Sequence, residues 1–345
     1  MKISLGGDQH MIQHKHVTLL QVAEHAGVSR ATASLAVRGS KKISDLTREK
    51  VLNSIKELGY IYDRVAANLR SKSSSTVGLI IMDLANPFYS EVLIGIHQEL
   101  TKCGQTVILG TTFDSYDTQN RLLSTMLEHR VGGIILFAVP GSKSEALEQI
   151  QYWGIPVVLV GRKVPEANCD YVSVDNVVGG ELAVDHLIQK GHRRIAFLGG
   201  PSQITSWQER KQGYDNAHRQ AGITIDPSLI IEGPVSRESG VELIQEILRI
   251  PDPPTAVFCY NDVIALGAMM KLREMGMTPG RDIGVIGFDN IQETTLLSPN
   301  LTTVSSFPRF MGIQAATLLH KRMEGLSSEP QNIILQPKLI VRESC

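Results

Sequence analysis

Long hydrophobic runs are absent from this sequence of 345 residues. No window approaches the roughly 18 consecutive apolar residues that a membrane-spanning helix needs, so no membrane partner is expected. The first sixteen residues, MKISLGGDQHMIQHKH, have neither an apolar core nor a small-residue cleavage site, and a secretory signal is therefore not expected. They predict a polar, disordered extension, with an origin in a cloning vector as the alternative. These features predict a cytoplasmic protein.

Cysteine is scarce, and the common catalytic motifs are missing. The four cysteines lie far apart and no pair has metal-site spacing, which indicates isolated thiols in a reducing cytosol. The ten histidines form no metal pattern, and there is no GxSxG, HExxH or P-loop motif. The glycines of GVIGFDN (284–290) do not form the GxGxxG phosphate turn. We therefore expect no enzyme activity, no metal site and no cofactor.

Charge is distributed unevenly along the chain, although the net charge is only −1. Residues 1–75 contain twelve Lys or Arg and six Asp or Glu, a balance of +6, whereas the remainder has a balance of −7. A basic small segment beside an acidic large one predicts a polyanionic partner for the small segment.

From Thr76 onward, short apolar runs alternate with helical windows, which is typical of parallel sheets covered on both faces. The runs are 77–82, 105–110, 132–138, 156–161, 194–200, 256–260 and 283–289. Residues 75–104 and 193–222 both follow the order strand, polar loop, helix, glycine. This repeated order of elements predicts two similar α/β halves with a ligand cleft between them.

Residues before the linker predict three short helices joined by tight turns. The predicted caps and stops are Thr18 and Gly27 for the first helix, Ser29 and Gly39 for the second, and Ser44 and Gly59 for the third. This order is that of a helix-turn-helix domain with a supporting helix. Its predicted core consists of Leu19, Val22, Ala23, Val28, Ala33, Ala36, Val51, Ile55 and Leu58.

The other face of the second helix carries small and polar residues, namely Arg30, Ala31, Ser34 and Leu35. Small residues allow a helix to enter a major groove, and the arginine fork matches guanine edges or phosphate. The hydroxyls of Ser29, Thr32 and Ser34 suit phosphate contacts. The pattern predicts DNA binding; an ordinary αα-hairpin with solvated small residues is the alternative.

These residues resemble the DNA-binding domain of the lactose-repressor (LacI/GalR) family. The resemblance lies in VAEHAGVSRATAS, TREKVLNSIKELGY and the hinge-like DRVAANLRSKSS. It continues, in order, through LANPFYSEVLIGI, VDNVVGGELAVDHLIQKGHRRIAFLGG, ERKQGY, CYNDVIALGA, GVIGFDN, SPNLTTV and LIVRES. Within the family, PFYSEVLIGI and AVFCYND are similar to segments of a regulator of maltose genes.

The resemblance implies a small all-α helix-turn-helix head and an α/β body like a periplasmic binding protein, with two doubly wound parallel-sheet subdomains. The expected boundaries are 1–16 for the extension, 17–62 for the head, 63–75 for the hinge helix and linker, and 76–345 for the effector-binding and dimerisation domain. Its N-subdomain is expected at about 76–174 and 306–335, and its C-subdomain at about 175–305 and 336–345.

The resemblance also implies a way of binding DNA, because family members are dimers whose paired second helices occupy the two half-sites of a palindromic operator. Arg30, Ala31 and Leu35 are then expected to face bases. Residues 63–71 would form a helix on DNA, with Leu69 wedged into the minor groove; simple domain docking is the alternative for Leu69. The expected DNA-binding residues are Thr18, Leu19, Ser29, Arg30, Ala31, Thr32, Ser34, Leu35, Arg38, Tyr60, Arg64, Ala66 and Leu69.

In the body, polar residues follow strand ends, where open α/β sheets bind ligands. Arg210, which matches a ligand-binding arginine of the family, could donate hydrogen bonds to a hydroxylated ligand, and Asn261 and Asp289 could accept them. Phe88 and Tyr89 could stack on a ring. The expected effector-binding residues are Phe88, Tyr89, Arg162, Arg210, Asn261 and Asp289.

Structural alternatives exist for several of these residues. One of the two aromatic residues could belong to the core, and Asp262 could cap the helix that follows it. Arg210 could instead form a salt bridge with Glu209 or Asp215. In each of these alternatives the side chain has a structural role and does not face a ligand cleft.

A switch is expected from crossings between the halves near 173–175, near Ser305 and near Gln336, because closure about such hinges can shift the two heads of a dimer. No heptad extension follows LIVRESC, so a homodimer is predicted. The leading hypothesis is a cytoplasmic, nucleoid-associated transcriptional repressor whose operator affinity is controlled by a sugar or sugar derivative. A sugar-binding receptor without a role in gene regulation is the alternative, and a sugar-modifying enzyme is a weaker one.

Overall fold

The computed structural model describes residues 17–37, 39–40, 42–60 and 74–345, which divide into a helical head and an α/β body. The predicted extension (1–16) and most of the predicted hinge and linker segment lie outside the described residues. Among the helices of the described ranges, none has the length and apolar character to cross a membrane.

The described part of the head contains three helices, α1 (Leu19–His25), α2 (Arg30–Val37) and α3 (Asp45–Leu58). Thr18 starts α1 in a capping box: its hydroxyl accepts from the Gln21 amide, and the Gln21 side chain accepts from the Thr18 amide at 2.8 Å. Gly27 follows α1 with φ +66°, a left-handed conformation that glycine adopts without steric cost. The Ser29 hydroxyl then accepts from the Thr32 amide at 3.1 Å. The predicted helix-turn-helix is confirmed.

The core of the head is small, and alanine forms much of it. Its buried residues are Val22, Ala23, Ala33, Ala36 and Val51. Packed around them are Val17, Leu19, Ala26, Val28, Ile43, Ile55, Leu58 and Tyr60. All nine predicted core residues are among these. Because Ala33 and Ala36 have short side chains, α2 packs closely on α1 and α3, and its other face is left to solvent.

The body contains two six-stranded sheets. The first consists of β1 (Thr76–Ile81), β2 (Thr106–Thr111), β3 (Gly133–Leu136), β4 (Val157–Val160), β5 (Asp170–Val174) and β11 (Asn332–Leu335). Its order is β11-β5-β4-β3-β1-β2, and every neighbouring pair is parallel. Its helices are α4 (Pro87–Lys102), α5 (Tyr116–Glu128), α6 (Ser144–Tyr152) and α11 (Pro308–Met323).

The second sheet consists of β6 (Ile195–Leu198), β7 (Ile230–Ile231), β8 (Ala256–Cys259), β9 (Gly284–Asp289), β10 (Thr302–Ser305) and β12 (Lys338–Ile340). Its order is β12-β10-β9-β8-β6-β7. Its helices are α7 (Asn176–Gln189), α8 (Thr205–Gln220), α9 (Arg237–Ile247) and α10 (Asp262–Glu274). The edge strand β12 runs antiparallel to β10, which corrects the all-parallel expectation for this sheet.

Each predicted apolar run overlaps a strand, and the α/β architecture of two sheets is confirmed. Five further strands, β5, β7, β10, β11 and β12, did not stand out in the sequence. They are two to five residues long, and several carry polar residues, as in DYVSV and TTVS. Pairing with neighbouring strands of the sheet, and not an apolar run, makes these segments strands.

Within residues 74–345 the chain crosses between the two sheets three times, after Val174, after Ser305 and after Leu335. The middle crossing enters α11, which packs against α4. A Cβ on Gly95 of α4 would overlap with the carbonyl oxygen of Arg309, and a Cβ on Gly312 of α11 would overlap with that of Val92. This close contact of two helix backbones holds α4 and α11 against each other. Both helices begin beside the crossing segments.

Candidate functional site

The outward face of α2 is the candidate nucleic-acid surface of the head. Arg30 and Ala31 are exposed, and Ser34 and Leu35 are half-buried one turn further along the same face. Ser29 and Thr32 lie at the start of the helix with their hydroxyls 2.9 Å apart. A face with one arginine, small side chains and hydroxyls can approach a groove closely.

The other predicted DNA-binding residues have varied positions. Thr18 is exposed at the start of α1, whereas Leu19 and Tyr60 pack partly against the core of the head. Arg38, Arg64, Ala66 and Leu69 lie outside the described residues, and so does the hinge helix. Their roles remain predictions.

In the body, a cleft that is partly open to solvent lies between the two sheets beside the crossing segments. All six predicted effector-binding residues line it, three from each half. The sequence did not single out its other lining residues, which are Met82, Asn86, Phe137, Gly161, Ser173, Val174, Asn176, Ser206, Val235, Tyr260, Ser306 and Met311.

Arg210 and Asp289 form the charged centre of the cleft. Arg210 Nη2 lies 3.6 Å from Asp289 Oδ1, and both side chains are buried. Arg210 Nε donates to Asn176 Oδ1 at 3.0 Å, and its Nη1 donates to the carbonyl of Tyr260 at 2.6 Å. The guanidinium also lies 3.6 Å from the ring centre of Phe288. The cation is therefore held in one orientation before any ligand enters.

These contacts contradict the alternative partners suggested for Arg210. Asp215 forms its ion pair with Lys211, at 2.6 Å, on the outer side of α8. Glu209 accepts a hydrogen bond from Asn176 Nδ2 at 2.9 Å. The carboxylate that pairs with Arg210 comes from the end of a distant strand, and not from a residue close to it in the sequence.

Asp289 has an unusual environment. Burial raises the pKa of its carboxyl from the ordinary value to about 6, although the charge of Arg210 and a hydrogen bond from Ser306 act against this. Asp289 and Asn290 have φ angles of +113° and +61°, which non-glycine residues rarely adopt. Strained backbone and a shifted carboxyl pKa in a cleft are typical of a functional site.

Arg162 forms a second ion pair in the first half of the cleft. Its Nη1 donates to Asp114 Oδ1 at 2.7 Å and lies 3.3 Å from the carbonyl of Ala138. Burial acts to lower the pKa of Arg162, but the negative charge of Asp114 and the hydrogen bond to it act the other way, and the net shift is upward. The guanidinium is thus a permanent, neutralised cation at the cleft wall.

Aromatic rings form the apolar wall of the first half. The Tyr89 ring lies 5.1 Å from that of Phe88 and 5.2 Å from that of Phe137, in edge-to-face contacts. Phe88 and Tyr89 lie in the first turn of α4, which Asn86 caps by accepting from the Phe88 amide at 3.0 Å. Both aromatic residues line the cleft, and Tyr89 also belongs to the core.

Asn261 caps α10, since its Oδ1 accepts from the Ile264 amide at 3.2 Å. The suggestion that Asp262 caps this helix is therefore wrong. Asp262 is the first residue of the helix and is fully buried, outside the cleft lining. The side-chain oxygen of Asn261 already accepts one hydrogen bond within the helix, which leaves its amide nitrogen and a second lone pair of the oxygen for a ligand.

Comparison with known protein families gave matches to both parts of the chain. Residues 18–63 match the family described as bacterial regulatory proteins, lacI family. Residues 184–345 match the periplasmic binding protein-like domain.

Among curated proteins, the chain is 35% identical over 343 residues to the transcriptional regulator CelR of Thermobifida fusca, covering 97% of this chain and 100% of that protein. It is 32% identical over 333 residues to the transcriptional repressor CytR of Escherichia coli K12, covering 96% and 97%. The chain belongs to the LacI family of bacterial regulatory proteins. The resemblance seen in the sequence is thereby confirmed; its maltose-gene subgroup remains a prediction.

Solved structures agree with membership of the LacI family. The lac repressor dimer bound to operator and the anti-inducer ONPF is 29% identical, with a TM-score of 0.84, over 96% of this chain and 99% of that one. The complex of CelR with cellobiose is 35% identical, with a TM-score of 0.72, over 96% and 100%. Both contain the same head and body, which confirms the fold class.

Proposed function

We propose that this protein is a homodimeric transcriptional repressor that binds palindromic operator DNA and responds to a small carbohydrate in the cleft of its body. The supporting observation is similarity over nearly the whole chain to repressors of the LacI family, together with a helix-turn-helix head. The relatives are regulators, and we propose the same role for this protein, in the cytoplasm and in association with the nucleoid. We propose no catalytic role.

The chemistry of the cleft supports an uncharged, hydroxylated effector. Each cation already has a carboxylate partner, Arg210 with Asp289 and Arg162 with Asp114, so the wall has no excess of positive charge from these groups. Oriented guanidinium and carboxylate groups suit hydroxyl groups, and the rings of Phe88 and Tyr89 suit the apolar face of a sugar. A relative is known in complex with cellobiose, and another with ribose.

The mechanism follows from the three crossings. An effector that contacts both walls of the cleft stabilises one arrangement of the two halves over the other. In a dimer, this rearrangement would change the spacing of the two heads and hence operator affinity. The coupling equals the difference in effector affinity between the two arrangements.

Selection from a pool of palindromic duplexes tests this function directly. The full-length protein is expected to enrich one sequence and to shift it in a gel, and a sugar from a panel is expected to change the shift. Failure to prefer any duplex, with and without sugars, would reject the repressor assignment. A thermal-shift screen of sugars, sugar phosphates and purines then identifies the effector, because a ligand of the folded state raises its apparent stability.

Replacing Arg30 with alanine is expected to weaken binding to the selected duplex by about 1–3 kcal/mol, the value of an arginine fork on a base edge. Binding to a scrambled duplex should weaken less, because such a contact is specific to sequence. Fluorescence anisotropy at fixed salt measures both affinities.

Lys56→Ala is the matched control for Arg30→Ala, since it removes one exposed positive charge from α3, away from the outward face of α2. It is expected to change both affinities equally and slightly. Equal losses on the two duplexes for Arg30→Ala would instead assign Arg30 to phosphate contact, and no loss on either would remove it from the interface.

Effector affinity is expected to fall as the pH decreases through about 6. Burial raises the pKa of Asp289 to about 6, so the empty cleft gains a proton there below that pH. A sugar hydroxyl that donates to the ionised carboxylate binds the unprotonated form in preference. Protons therefore compete with the sugar, and the dissociation constant of the sugar rises by up to about tenfold per pH unit well below the pKa. Calorimetry at pH 7.5, 6.0 and 5.0 measures the trend, and Asp289→Asn should remove it. A pH-independent affinity in the wild type would contradict it.

A further inference from the structure

Asp262 is a fully buried carboxyl group that the cleft contacts described above do not use. It lies at the first position of α10, directly behind the cleft. Its Oδ1 accepts from the Thr303 hydroxyl at 2.5 Å, and its Oδ2 accepts from the Ile291 amide at 2.9 Å. Burial raises the pKa of this carboxyl well above its ordinary value. Donors from two different segments therefore meet on one side chain.

The segment that Asp262 holds is the one that presents Asp289. Residues 289 and 290 follow β9 in left-handed backbone conformations, with φ of +113° and +61°. Such conformations are strained and persist only where surrounding groups hold them. The backbone amide of Ile291, which donates to Asp262, comes directly after these two residues.

A second anchor acts on the same segment. Arg342 Nη2 donates to the side-chain oxygen of Asn290 at 2.8 Å, and its Nη1 donates to the carbonyl of Leu301 at 2.7 Å. The Asp262 side chain also needs a glycine beside it, because a Cβ on Gly287 would overlap with Asp262 Oδ1. These contacts hold the segment that follows β9, and the side chain of Asp289 faces Arg210.

The backbone amide of Ile291 requires an acceptor at residue 262. A backbone N–H can only donate, whereas the Thr303 hydroxyl can donate or accept. An asparagine could therefore turn its NH2 group to the hydroxyl and keep its oxygen on the amide. Alanine removes both oxygens and leaves the buried Ile291 amide unpaired, so the segment would have to move.

We propose that Asp262 is a positioning residue for effector recognition: through the backbone amide of Ile291 it holds Asp289 in the orientation that faces Arg210 and the cleft. The inference rests on the proposed function in assigning effector recognition to Asp289. Asp262 itself has no contact with the cleft.

Crystal structures of the Asp262→Ala and wild-type proteins test the positioning without any sugar. The expected result is that residues 289–291 move and the distance from Arg210 Nη2 to Asp289 Oδ1 increases beyond 3.6 Å, while the remainder of the second sheet superposes. An unchanged segment in Asp262→Ala overturns the proposal.

Calorimetry with cellobiose and ribose then measures the consequence in the full-length protein. Asp262→Ala is expected to raise the dissociation constant of the sugar that binds by at least about tenfold, the effect of leaving a buried hydrogen-bond donor unpaired. In an Asp289→Asn background the same change should have less than about a twofold effect, because its route to the sugar is gone. A full tenfold loss in both backgrounds means that Asp262 acts elsewhere, and it overturns the proposal.

Two further results separate this proposal from its premise. If wild-type protein binds neither sugar while Asp262→Ala displaces Asp289, the effector class is rejected and the positioning stands. If Asp262→Ala does not fold, Thr303→Val removes one donor and Thr303→Ser keeps it. The valine variant should displace residues 289–291 and weaken sugar binding, and the serine variant should restore both; a valine variant identical to wild type overturns the proposal.

Discussion

Asp289→Ala is expected to raise the dissociation constant of the effector by about 30-fold or more, because truncating one partner of a buried charge pair costs roughly 2–5 kcal/mol. The loss has two physical parts. The carboxylate that would accept from the effector is removed, and Arg210 is left buried without its negative partner, with only its bonds to Asn176 and the Tyr260 carbonyl. Calorimetry on the full-length protein measures the affinity. The gel-shift response to effector should disappear, whereas the operator shift without effector should remain.

The matched control for Asp289→Ala is Asp215→Ala, which removes a carboxylate from the same half of the body. Asp215 pairs with Lys211 on the outer side of α8, and its side chain is one-third exposed. This change should leave effector affinity and response unaltered. If Asp289→Ala retains the wild-type response, Asp289 is not an effector-binding residue, and the cleft assignment must rest on the other lining residues.

Arg322→Ala is expected to reduce the free energy of unfolding of the body by about 3 kcal/mol, the loss typical of breaking a buried ion pair from one side. Arg322 Nε and Nη2 donate to the two oxygens of Asp170 at 2.7 and 2.8 Å, and Asp170 is almost fully buried at the start of β5. Arg322 also donates to the carbonyls of Leu326, Ser328 and Glu329. Its loss would therefore leave a buried carboxylate unpaired and release the turn between α11 and β11.

Urea unfolding followed by tryptophan fluorescence measures this effect, because both tryptophans, Trp153 and Trp207, belong to the body. Arg309→Ala is the matched control: Arg309 lies on the same helix and also makes a two-bond contact, with Glu91, but its side chain is half exposed. Exposed pairs contribute about 0–1 kcal/mol, so the control should lose little. Equal losses of stability for the two arginine variants would contradict the prediction that burial makes the Arg322 pair the more stabilising one.

The sequence predicted the head in detail because its signals are local. Caps such as Thr18 and Ser44, and left-handed glycines such as Gly27 and Gly59, act within a few residues of their own position. The apolar runs of the body likewise identified the strands buried at the centre of each sheet. Short edge strands such as β7 and β12 were not recognised, because they depend on their neighbours and carry no strong pattern of their own.

Predicting the candidate cleft was a different problem. The ends of parallel strands meet at one edge of a sheet, so a rule about position was enough to select Arg162, Asn261 and Asp289, and all three line the cleft. The same rule gave no sign of Asn176 or Ser306, which lie at the crossings between the halves. It also gave no partner for Arg210, and the partners suggested from sequence proximity were wrong.

By itself, the sequence determined which segments are helices and central strands, that a basic helix-turn-helix head precedes an α/β body, and which family the chain resembles. These follow from apolar periodicity, capping residues, charge and motifs, all of which act over short distances along the chain. Only the tertiary structure decided that Arg210 faces Asp289, that Asn261 and not Asp262 caps α10, and that Asp262 supports the segment behind the cleft. The contacts of Arg210 with Asp289 and of Asp262 with Ile291 and Thr303 join residues 29 to 79 positions apart, and packing of strands and helices from distant parts of the chain brings them together.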